Sequence, residues 1–434
     1  MSVLPLAAAL ARAALGTRQA DDLALIFLAF ARQADDATGQ PEHRGHRRIL
    51  NHYSLGVAVA VEPGGHGDAI GTQHADLDIV TLADILGQPT LISMPPFSTP
   101  RELGYRMPSE WEPQAATWMT WPSRENTSFP DGTHHDDVLP TFRAMIQALT
   151  ETQHVYLNGE APASLEGLAN LTLTGIPAVY PWCRDHGSTF VVRGAGTDRL
   201  AAVNWDYNAW GGKYPEILPS DFQINRRMAH RLKIPSFLPG LALEGGSIEV
   251  NGTGSLLVTT QCLLNPNRNP HLTKSEIEAA LRDSLNVTNI LWLDEGIVGD
   301  DTDGHIDDIT RFVNQDTVVT VVESDPHDAN YEPLRHNLHL LKSMRTEDGQ
   351  PLNILELHMP APVITDGVRL PASYANFYIG NKIVLQPVFG DAHDDKAMDI
   401  IRQCFPTRRV VPIDCRELVW GLGTFHCLTQ QMPL

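Results

Sequence analysis

Cysteine is scarce in this chain, and no two cysteines form a CxxC pair. The 434 residues include only five cysteines, at positions 183, 262, 404, 415 and 427. A small odd number without paired spacing predicts neither a disulfide framework nor a zinc site. We therefore expect a reducing, cytoplasmic setting in which these thiols stay free.

Positive charge and long apolar runs are also lacking. Lys and Arg number 32 against 52 Asp and Glu, so the formal net charge is −20. A field of that sign repels nucleic acid and anionic membranes and attracts small cations, although an acidic surface also serves solubility alone. No apolar run reaches the roughly 18 to 20 residues that a membrane-spanning helix needs. We expect no nucleic-acid partner and no membrane partner.

The first 93 residues differ in composition from the rest. They contain no Lys, Trp or Cys, and Ala-rich runs alternate there with Gly/His/Asp stretches. A proline-rich joint follows Met94, and its prolines forbid a continuous helix. We expect residues 1–93 to form an N-terminal extension. The extension is either disordered or the result of a misassigned start, in which case Met94 is the true first residue. The main domain is then residues 94–434.

Beyond the joint, strand-like runs alternate with helical patterns, which predicts an α/β or α+β domain. Residues 247–260 read as a β-hairpin, because Asn-Gly tolerates the positive φ of a tight turn. Thr273 and Glu276 form a capping box before a helical pattern. Four further strands and one further helix are predicted in NILWLDEG, TVVTVVES, IVLQPVFG, RVVPIDC and DDKAMDIIRQCF.

Four polar stretches stand beside these strand-like runs. They are PWCRDHGSTFVV, LEGGSIEV, DDTDGHIDD and the terminal GTFHC. Each alone has a structural explanation: an Asp185–Arg184 ion pair, a turn after Glu244, a solvated acidic loop or an inert core cysteine. Together they supply a cysteine, a histidine and several carboxylates, which are the ingredients of thiol catalysis on a cationic substrate.

These stretches, in this order, resemble the agmatine deiminase and bacterial peptidylarginine deiminase family of the guanidine-modifying pentein superfamily. The resemblance covers roughly residues 101–433. Supporting motifs are MPSEWEPQAATWMTWP, NAWGGKYP, LLNPNRNPHLTKSEIE and GDDTDGHIDD. It implies a pseudo-fivefold α/β propeller of ββαβ-type units, a homo-oligomer, and a cytoplasmic hydrolase that needs no metal or organic cofactor.

The resemblance also implies residue roles. Cys427 is expected as nucleophile, His305 as general acid/base, Glu244 as the carboxylate that orients it, and Asp185 and Asp307 as the carboxylates that grip a guanidinium. Two carboxylates suit that group, because its N–H donors form paired charge-assisted hydrogen bonds.

Three further residues are expected to bind substrate. Trp182 lies along it by resemblance, and Asp301 and Asp303 of the DDTD run suit the ammonium of agmatine. The expected reaction hydrolyses agmatine to N-carbamoylputrescine and ammonia through a cysteine thiouronium intermediate, within putrescine and polyamine metabolism.

One departure from the family concerns the ending GLGTFHC, where relatives usually carry a Gly-Gly-Gly-Asn-Ile-His-Cys type of sequence. Leu422 replaces a glycine and Thr424 an asparagine. A leucine is expected to avoid positive φ, so the loop beside Cys427 is expected to differ if that glycine needs such a conformation. Alternatives left open are a peptidyl or free arginine substrate, and a non-catalytic pentein binding protein.

Overall fold

The computed structural model describes residues 98–130, 132–194, 199–217 and 221–434. The predicted N-terminal extension over residues 1–93 lies outside the described residues.

The described part contains 18 β-strands. They are β1 (Gln114–Thr120), β2 (His154–Asn158), β3 (Leu171–Leu173), β4 (Thr189–Val192), β5 (Leu200–Val203), β6 (Ser236–Phe237), β7 (Glu249–Val250), β8 (Ser255–Thr259), β9 (Asn289–Leu293), β10 (Thr310–Phe312), β11 (Thr317–Val322), β12 (Asn353–His358), β13 (Ile364–Thr365), β14 (Val368–Arg369), β15 (Tyr378–Ile379), β16 (Ile383–Val388), β17 (Arg409–Asp414) and β18 (Thr429–Pro433).

Nine α-helices lie in the same ranges. They are α1 (His135–Thr150), α2 (Cys183–His186), α3 (Ala209–Gly212), α4 (Ile224–Leu232), α5 (Thr260–Leu263), α6 (Lys274–Leu285), α7 (Tyr331–Ser343), α8 (Asp394–Cys404) and α9 (Phe425–Leu428). No helix in the described ranges is long and apolar enough to cross a bilayer.

The strands repeat one arrangement in five sheets. A short strand pairs antiparallel with the next strand, which pairs in parallel with a third: β4-β5-β6, β7-β8-β9, β10-β11-β12 and β15-β16-β17. In the fifth sheet, β18 pairs antiparallel with β1, and β1 pairs in parallel with β2. In each of these five repeats the parallel connection contains a helix of nine or more residues, as parallel strands require a crossover, and β3 adds a further parallel strand beside β2. The fold is therefore a mixed α/β fold.

Local sequence patterns account for these elements. The predicted hairpin is confirmed as β7 and β8, and the Thr273–Glu276 capping box begins α6. The other predicted strands are confirmed as β9, β11, β16 and β17, and the predicted helix as α8. All six residues of β11 are buried, because its sheet is covered on both faces and its apolar run is continuous.

Candidate active site

The five residues predicted for the site occupy similar places in four of the five sheets. Asp185 lies in α2 just before β4, Glu244 precedes β7, His305 and Asp307 precede β10, and Cys427 lies in α9 just before β18. Each side chain is thus held by the start of the short strand of its sheet. The structure brings together all five residues that the resemblance singled out.

A glycine makes room where three of these side chains meet. A Cβ atom added at Gly246 would lie 2.6 Å from His305 Nδ1, 3.0 Å from Asp185 Oδ1 and 3.1 Å from Asp307 Oδ2. Contacts under 3.0 Å are not found for real Cβ atoms. The second glycine of LEGGSIEV is therefore required for the convergence of these groups.

Asp185 does not pair with its neighbour Arg184. Its Oδ2 accepts a hydrogen bond from Trp210 Nε1 at 3.0 Å, and its Oδ1 accepts one from the Gly246 N–H at 3.1 Å. Burial raises the pKa of Asp185 to about 6, an effect that His305 opposes and Asp307 and Glu244 reinforce. The carboxyl group is thus poised to ionise near neutral pH.

His305 lies wholly buried between two carboxylates. Its Nδ1 is 3.8 Å from Asp185 Oδ1, and its Nε2 is 3.5 Å from Glu244 Oε2. Burial alone would lower the pKa of His305, but Asp185, Cys262 and Glu244 outweigh it and raise that pKa well above its usual value. Neither ring nitrogen has a hydrogen-bond partner among the described residues. The ring is therefore a protonated donor without an acceptor at bonding distance.

Glu244 is fixed by an arginine. Arg268 Nε donates to Glu244 Oε1 at 2.8 Å and to Oε2 at 3.1 Å. Burial opposes ionisation of Glu244, but Arg268 and then His305 outweigh it and lower the carboxyl pKa. Glu244 is therefore an ionised group that faces His305 in a set orientation.

Cys427 is surrounded by negative charge. Its Sγ lies 3.6 Å from Asp307 Oδ2, and Asn376 Nδ2 donates a hydrogen bond to it at 3.0 Å. Burial raises the pKa of the thiol well above its usual value, and Asp307, Asp308 and Asp185 raise it further. Without a bound cation the thiol form is thus favoured.

Asp307 is linked to a second group of buried charges through His426. Asp307 Oδ2 lies 2.7 Å from His426 Nδ1, and His426 Nε2 lies 2.9 Å from Glu110 Oε2. Burial opposes ionisation of Asp307, but the His426 contact outweighs it and lowers the pKa. The other oxygen of Asp307, Oδ1, is buried without a partner.

The group beyond His426 comprises Glu110, Glu249, Arg184 and Arg311, and we call it the paired cluster. Both Glu110 oxygens are used: Oε1 accepts from Arg311 Nη2 and Oε2 from Arg184 Nη2, each at 3.1 Å. Arg311 Nε donates to Glu249 Oε2 at 2.8 Å. Two carboxylates thus face two guanidinium groups, and the charges cancel.

The group around the cavity comprises Asp185, Asp307 and His305, and we call it the cavity cluster. Here two carboxylates face one histidine, because the remaining carboxylate, Glu244, is matched by Arg268. Asp308 adds no charge, since burial and the adjacent Asp307 raise its pKa well above the usual value. The cavity cluster is therefore rich in carboxylates, with only His305 and the His426 contact to Asp307 beside them, and a bound cation would add positive charge.

A cavity of about 280 Å³ reaches two of the site residues, Asp185 and Cys427, and His305 and Asp307 lie behind its lining. Cys427 and Asp185 lie at its inner end, and Trp182 and Trp210 form part of its walls. Trp182 is fixed by a hydrogen bond from its Nε1 to Ser128 Oγ at 3.0 Å. The lining contains no Lys and no Arg among the described residues. A flat cation thus meets aromatic faces on its way to the thiol.

The structure separates the two carboxylates of the DDTD run. Asp301 lines the cavity, where its Oδ2 accepts a hydrogen bond from the hydroxyl of Tyr214. Asp303 is outside the lining, and its oxygens face Lys213 Nζ and Arg268 Nη1, each at 2.7 Å. Only Asp301 is placed to meet a molecule in the cavity.

The loop before Cys427 adopts the conformation that a leucine was expected to avoid. Leu422 has φ 71° and ψ 25°, in the left-handed region, and it lines the cavity. That expectation is wrong: the chain places a leucine there at a cost of about 1–2 kcal/mol. Thr424 Oγ1 donates to Asn376 Oδ1 at 2.9 Å, so its hydroxyl anchors the loop.

Two groups of metal-ligating side chains overlap the site. One is Glu244, Cys262 and His305, and the other is Asp307, Asp308 and Cys427; in each group one ligand atom per residue lies within 4.8 Å of the others. Arg268 occupies both oxygens of Glu244 and repels a cation from the first group. The absence of a cofactor stays a prediction.

Sequence reasoning missed three residues that contact the site. Arg268 lies in LLNPNRNPHLTKSEIE, a motif that signalled the resemblance without a role for its arginine. Cys262 looked like an ordinary core cysteine, and Asn376 stands between apolar residues in SYANFYIG. The only signal for Asn376 was an amide in a run that otherwise reads as a buried strand.

Comparison with known proteins decides the family. A family described as Porphyromonas-type peptidyl-arginine deiminase matches residues 106–433. The chain belongs to this family. The agmatine deiminase of Pseudomonas syringae pv. tomato is 35% identical over 365 residues, covering 77% of this chain and 97% of the relative.

Solved structures of family members agree with this assignment. The Enterococcus faecalis agmatine deiminase superposes with a TM-score of 0.71 at 29% identity, covering 79% of this chain and 99% of the other. A C. jejuni agmatine deiminase with substrate bound gives a TM-score of 0.69 at 28% identity, covering 76% and 96%. As a family member, the chain is a hydrolase that acts on the C–N bonds of amidines.

Proposed function

We propose that this chain hydrolyses agmatine to N-carbamoylputrescine and ammonia. The observation that carries the choice of substrate is the charge of the cavity lining, which holds the carboxylates of Asp185 and Asp301 and, among the described residues, no Lys or Arg. Agmatine has a cation at each end. The α-carboxylate of arginine would meet like charge without a partner, which costs several kcal/mol in a partly buried site.

The guanidinium lies against Asp185 and Asp307 in this proposal. It adds positive charge to the cavity cluster, and its N–H groups donate to the unpaired Oδ1 of Asp307. The carbon is then held near Cys427 Sγ, which lies 3.6 Å from the other oxygen of Asp307. Binding also offsets the negative charge that keeps the thiol protonated.

Cys427 is the nucleophile and His305 the general acid and base. The thiolate attacks the guanidinium carbon, His305 protonates the departing ammonia as the C–N bond breaks, and a thiouronium remains on sulfur. Water then attacks that carbon and loses its proton to His305, and the C–S bond breaks to leave the urea. Between these steps the imidazole is neutral, and Glu244 keeps it oriented and stabilises its protonated form before and after.

The aliphatic chain of agmatine lies along Trp182, and its ammonium reaches Asp301. Asp303, held by Lys213 and Arg268, supports the wall behind Asp301 rather than the ligand. We also propose that the five sheets are arranged as a pseudo-fivefold propeller, which is supported by their common strand order and by the pairing of β18 with β1.

The test is ammonia release from agmatine, arginine and peptides with a C-terminal arginine, with Cys427→Ser as the inactive control. We expect agmatine to be favoured over arginine by about 30- to 1,000-fold in kcat/KM. Asp301→Asn should narrow that ratio about tenfold or more by weakening agmatine alone. Glu216→Gln, which changes an exposed carboxylate absent from the lining, is the matched control.

Two results would contradict the proposal. Equal turnover of arginyl peptides would indicate peptidylarginine as the substrate. An unchanged ratio of kcat/KM for agmatine to that for arginine in Asp301→Asn would show that Asp301 does not bind the ammonium of agmatine. Absence of ammonia from every guanidine would indicate the non-catalytic alternative.

A further inference from the structure

One sheet has no residue assigned to it in the reaction, although its corresponding position is filled by a polar side chain. The residues that precede β4, β7, β10 and β18 carry the proposed chemistry. Asn376 precedes β15 by two positions, is 1% exposed, and directs its side chain at the same sulfur. The repeat thus places an amide where the other four sheets place Asp185, Glu244, His305 and Cys427.

The orientation of the Asn376 amide follows from its partners. Oδ1 receives the backbone N–H of His426 at 3.1 Å, that of Cys427 at 3.4 Å, and the hydroxyl of Thr424 at 2.9 Å. A backbone N–H is always a donor, so the atom that faces it is the oxygen. The amide nitrogen must therefore face the opposite side.

Both hydrogens of that nitrogen are directed. Nδ2 donates to Asp308 Oδ1 at 2.9 Å and to Cys427 Sγ at 3.0 Å. A neutral thiol sulfur is a weak acceptor, whereas a thiolate is a strong one. Asn376 Nδ2 is therefore placed to donate a stronger hydrogen bond to the Cys427 thiolate than to the thiol.

The surroundings of the sulfur make such a donor necessary. The charged groups that face it are carboxylates: Asp307 directly, with Asp185 and Asp308 near by. His305 makes no hydrogen bond to the sulfur, and Asn376 is the one donor to it among the described residues. Without that N–H, no side chain among the described residues would donate a hydrogen bond to the thiolate.

We propose that Asn376 is a catalytic residue that stabilises the Cys427 thiolate through its amide N–H and holds the sulfur toward the cavity. The inference rests on the proposed role of Cys427 as nucleophile. It differs from a purely structural role, in which Asn376 would matter only through the hydrogen bonds that its oxygen accepts from the loop.

Asn376→Asp separates the two roles, because aspartate keeps the accepting oxygen and loses the donor. Next to Asp308 the new carboxyl would share one proton with its neighbour and leave none for sulfur. The measurement is alkylation of Cys427 by iodoacetamide as a function of pH, quantified by peptide mass mapping. We expect the half-point of the reaction to rise by about 1 to 2 pH units and the rate at pH 7 to fall about 10- to 100-fold.

Two controls accompany this variant. Thr424→Val removes a hydrogen bond to the oxygen and keeps the donor, so we expect the half-point to stay within about 0.3 pH unit, which corresponds to a twofold change in rate. Cys404, half-buried on the remote helix α8, is an internal reference whose alkylation should not change. Asn376→Ser adds no charge and should shift the half-point in the same direction, which separates loss of the amide donor from the effect of an added carboxyl group.

An unchanged Cys427 profile in Asn376→Asp and Asn376→Ser would overturn the proposal. So would an equal shift in Thr424→Val, which indicates a structural role. Because alkylation needs no substrate, failure here is distinguishable from failure of the proposed function, whose readout is ammonia release.

Discussion

The paired cluster and the cavity cluster are equally buried, yet they differ in how their charges are satisfied. Both clusters contact His426, one through Glu110 at 2.9 Å and the other through Asp307 at 2.7 Å. In the paired cluster every carboxylate oxygen has a donor, including the N–H groups of Phe312 and Ile379. In the cavity cluster, both ring nitrogens of His305 and one oxygen of Asp307 have none.

The two clusters therefore differ in their role: the charges of the paired cluster stabilise the fold, whereas those of the cavity cluster are stabilised only when a cationic ligand binds. A buried carboxylate is ionised readily only where cationic groups outweigh the cost of burial; elsewhere its charge costs free energy until a cation arrives. Arg311, His426 and Arg184 outweigh burial and lower the pKa of Glu110, whereas burial outweighs His305 and raises that of Asp185; Glu249, which shares Arg311 with Glu110, also keeps a raised pKa. Substitutions on the two sides of His426 should therefore have opposite effects on stability.

Asp185→Asn tests the cavity side and should have the largest effect on activity. Loss of a charged partner to the guanidinium should lower kcat/KM for agmatine by about 10³-fold. The free energy of unfolding, in contrast, should increase. Asp185 has a pKa of about 6 in the folded protein, above its ordinary value of 3.8, so its ionisation destabilises the folded protein. This loss of stability grows as pH rises from 3.8 to about 6 and is complete at higher pH. At pH 8 the variant should be more stable by about 1–2 kcal/mol, measured by urea unfolding; a variant less stable than the parent would contradict this.

Glu110→Gln tests the paired side, where the expected effect is a loss of stability. The substitution leaves Arg184 buried without a carboxylate and leaves Arg311 with Glu249 alone, which costs about 3–5 kcal/mol. Because the pKa of Glu110 is lowered in the fold, its contribution is present above its unfolded pKa and lost as pH falls through the folded one. The midpoint of urea unfolding at pH 7 is the measurement. A variant as stable as Asp185→Asn would show that the two clusters do not differ.

The decrease of kcat/KM at low pH should depend on the ionisation of the cavity cluster and not on that of the paired cluster. Substrate binding needs ionised Asp185, so kcat/KM for agmatine should fall about tenfold per pH unit below pH 6. Glu110, with its lowered pKa, contributes nothing in that range. The profile should be measured between pH 4.5 and about 8, with circular dichroism to confirm that the chain stays folded. A limb centred near pH 4 would show that Asp185 is not the group that titrates.

Leu422→Gly should have the smallest effect. Relief of about 1–2 kcal/mol of strain at φ 71° is partly offset by the extra freedom of glycine in the unfolded chain, about 0.5–1 kcal/mol. The net gain should stay below about 1 kcal/mol, while the wider cavity admits bulkier guanidines. Leu422→Ala shortens the side chain and keeps the strain, so equal stability of the two variants would contradict this account.

The sequence predicts some of these features and not others, for physical reasons. The hairpin, the capping box and the strands β9, β11, β16 and β17 depend on neighbouring residues, and local patterns predicted them. The five site residues lie in four separate stretches, and only resemblance to a family joined them.

Contacts across long sequence separations lay beyond prediction. Nothing local pairs Glu110 with His426, or Asn376 with Cys427. Leu422 was misjudged because backbone preference alone argued against φ 71°, whereas tertiary contacts around it outweigh that preference.

The pairing of β18 with β1 bears on when the protein becomes reactive. β1 leaves the ribosome about 300 residues before β18, and its edge stays open until residues 429–433 arrive. Cys427 enters its carboxylate surroundings only when that last strand docks, so contacts of very long range must form late in folding. A nascent or truncated chain therefore carries the carboxylates without the thiol. Competence to react is therefore gained only once β18 has docked on β1.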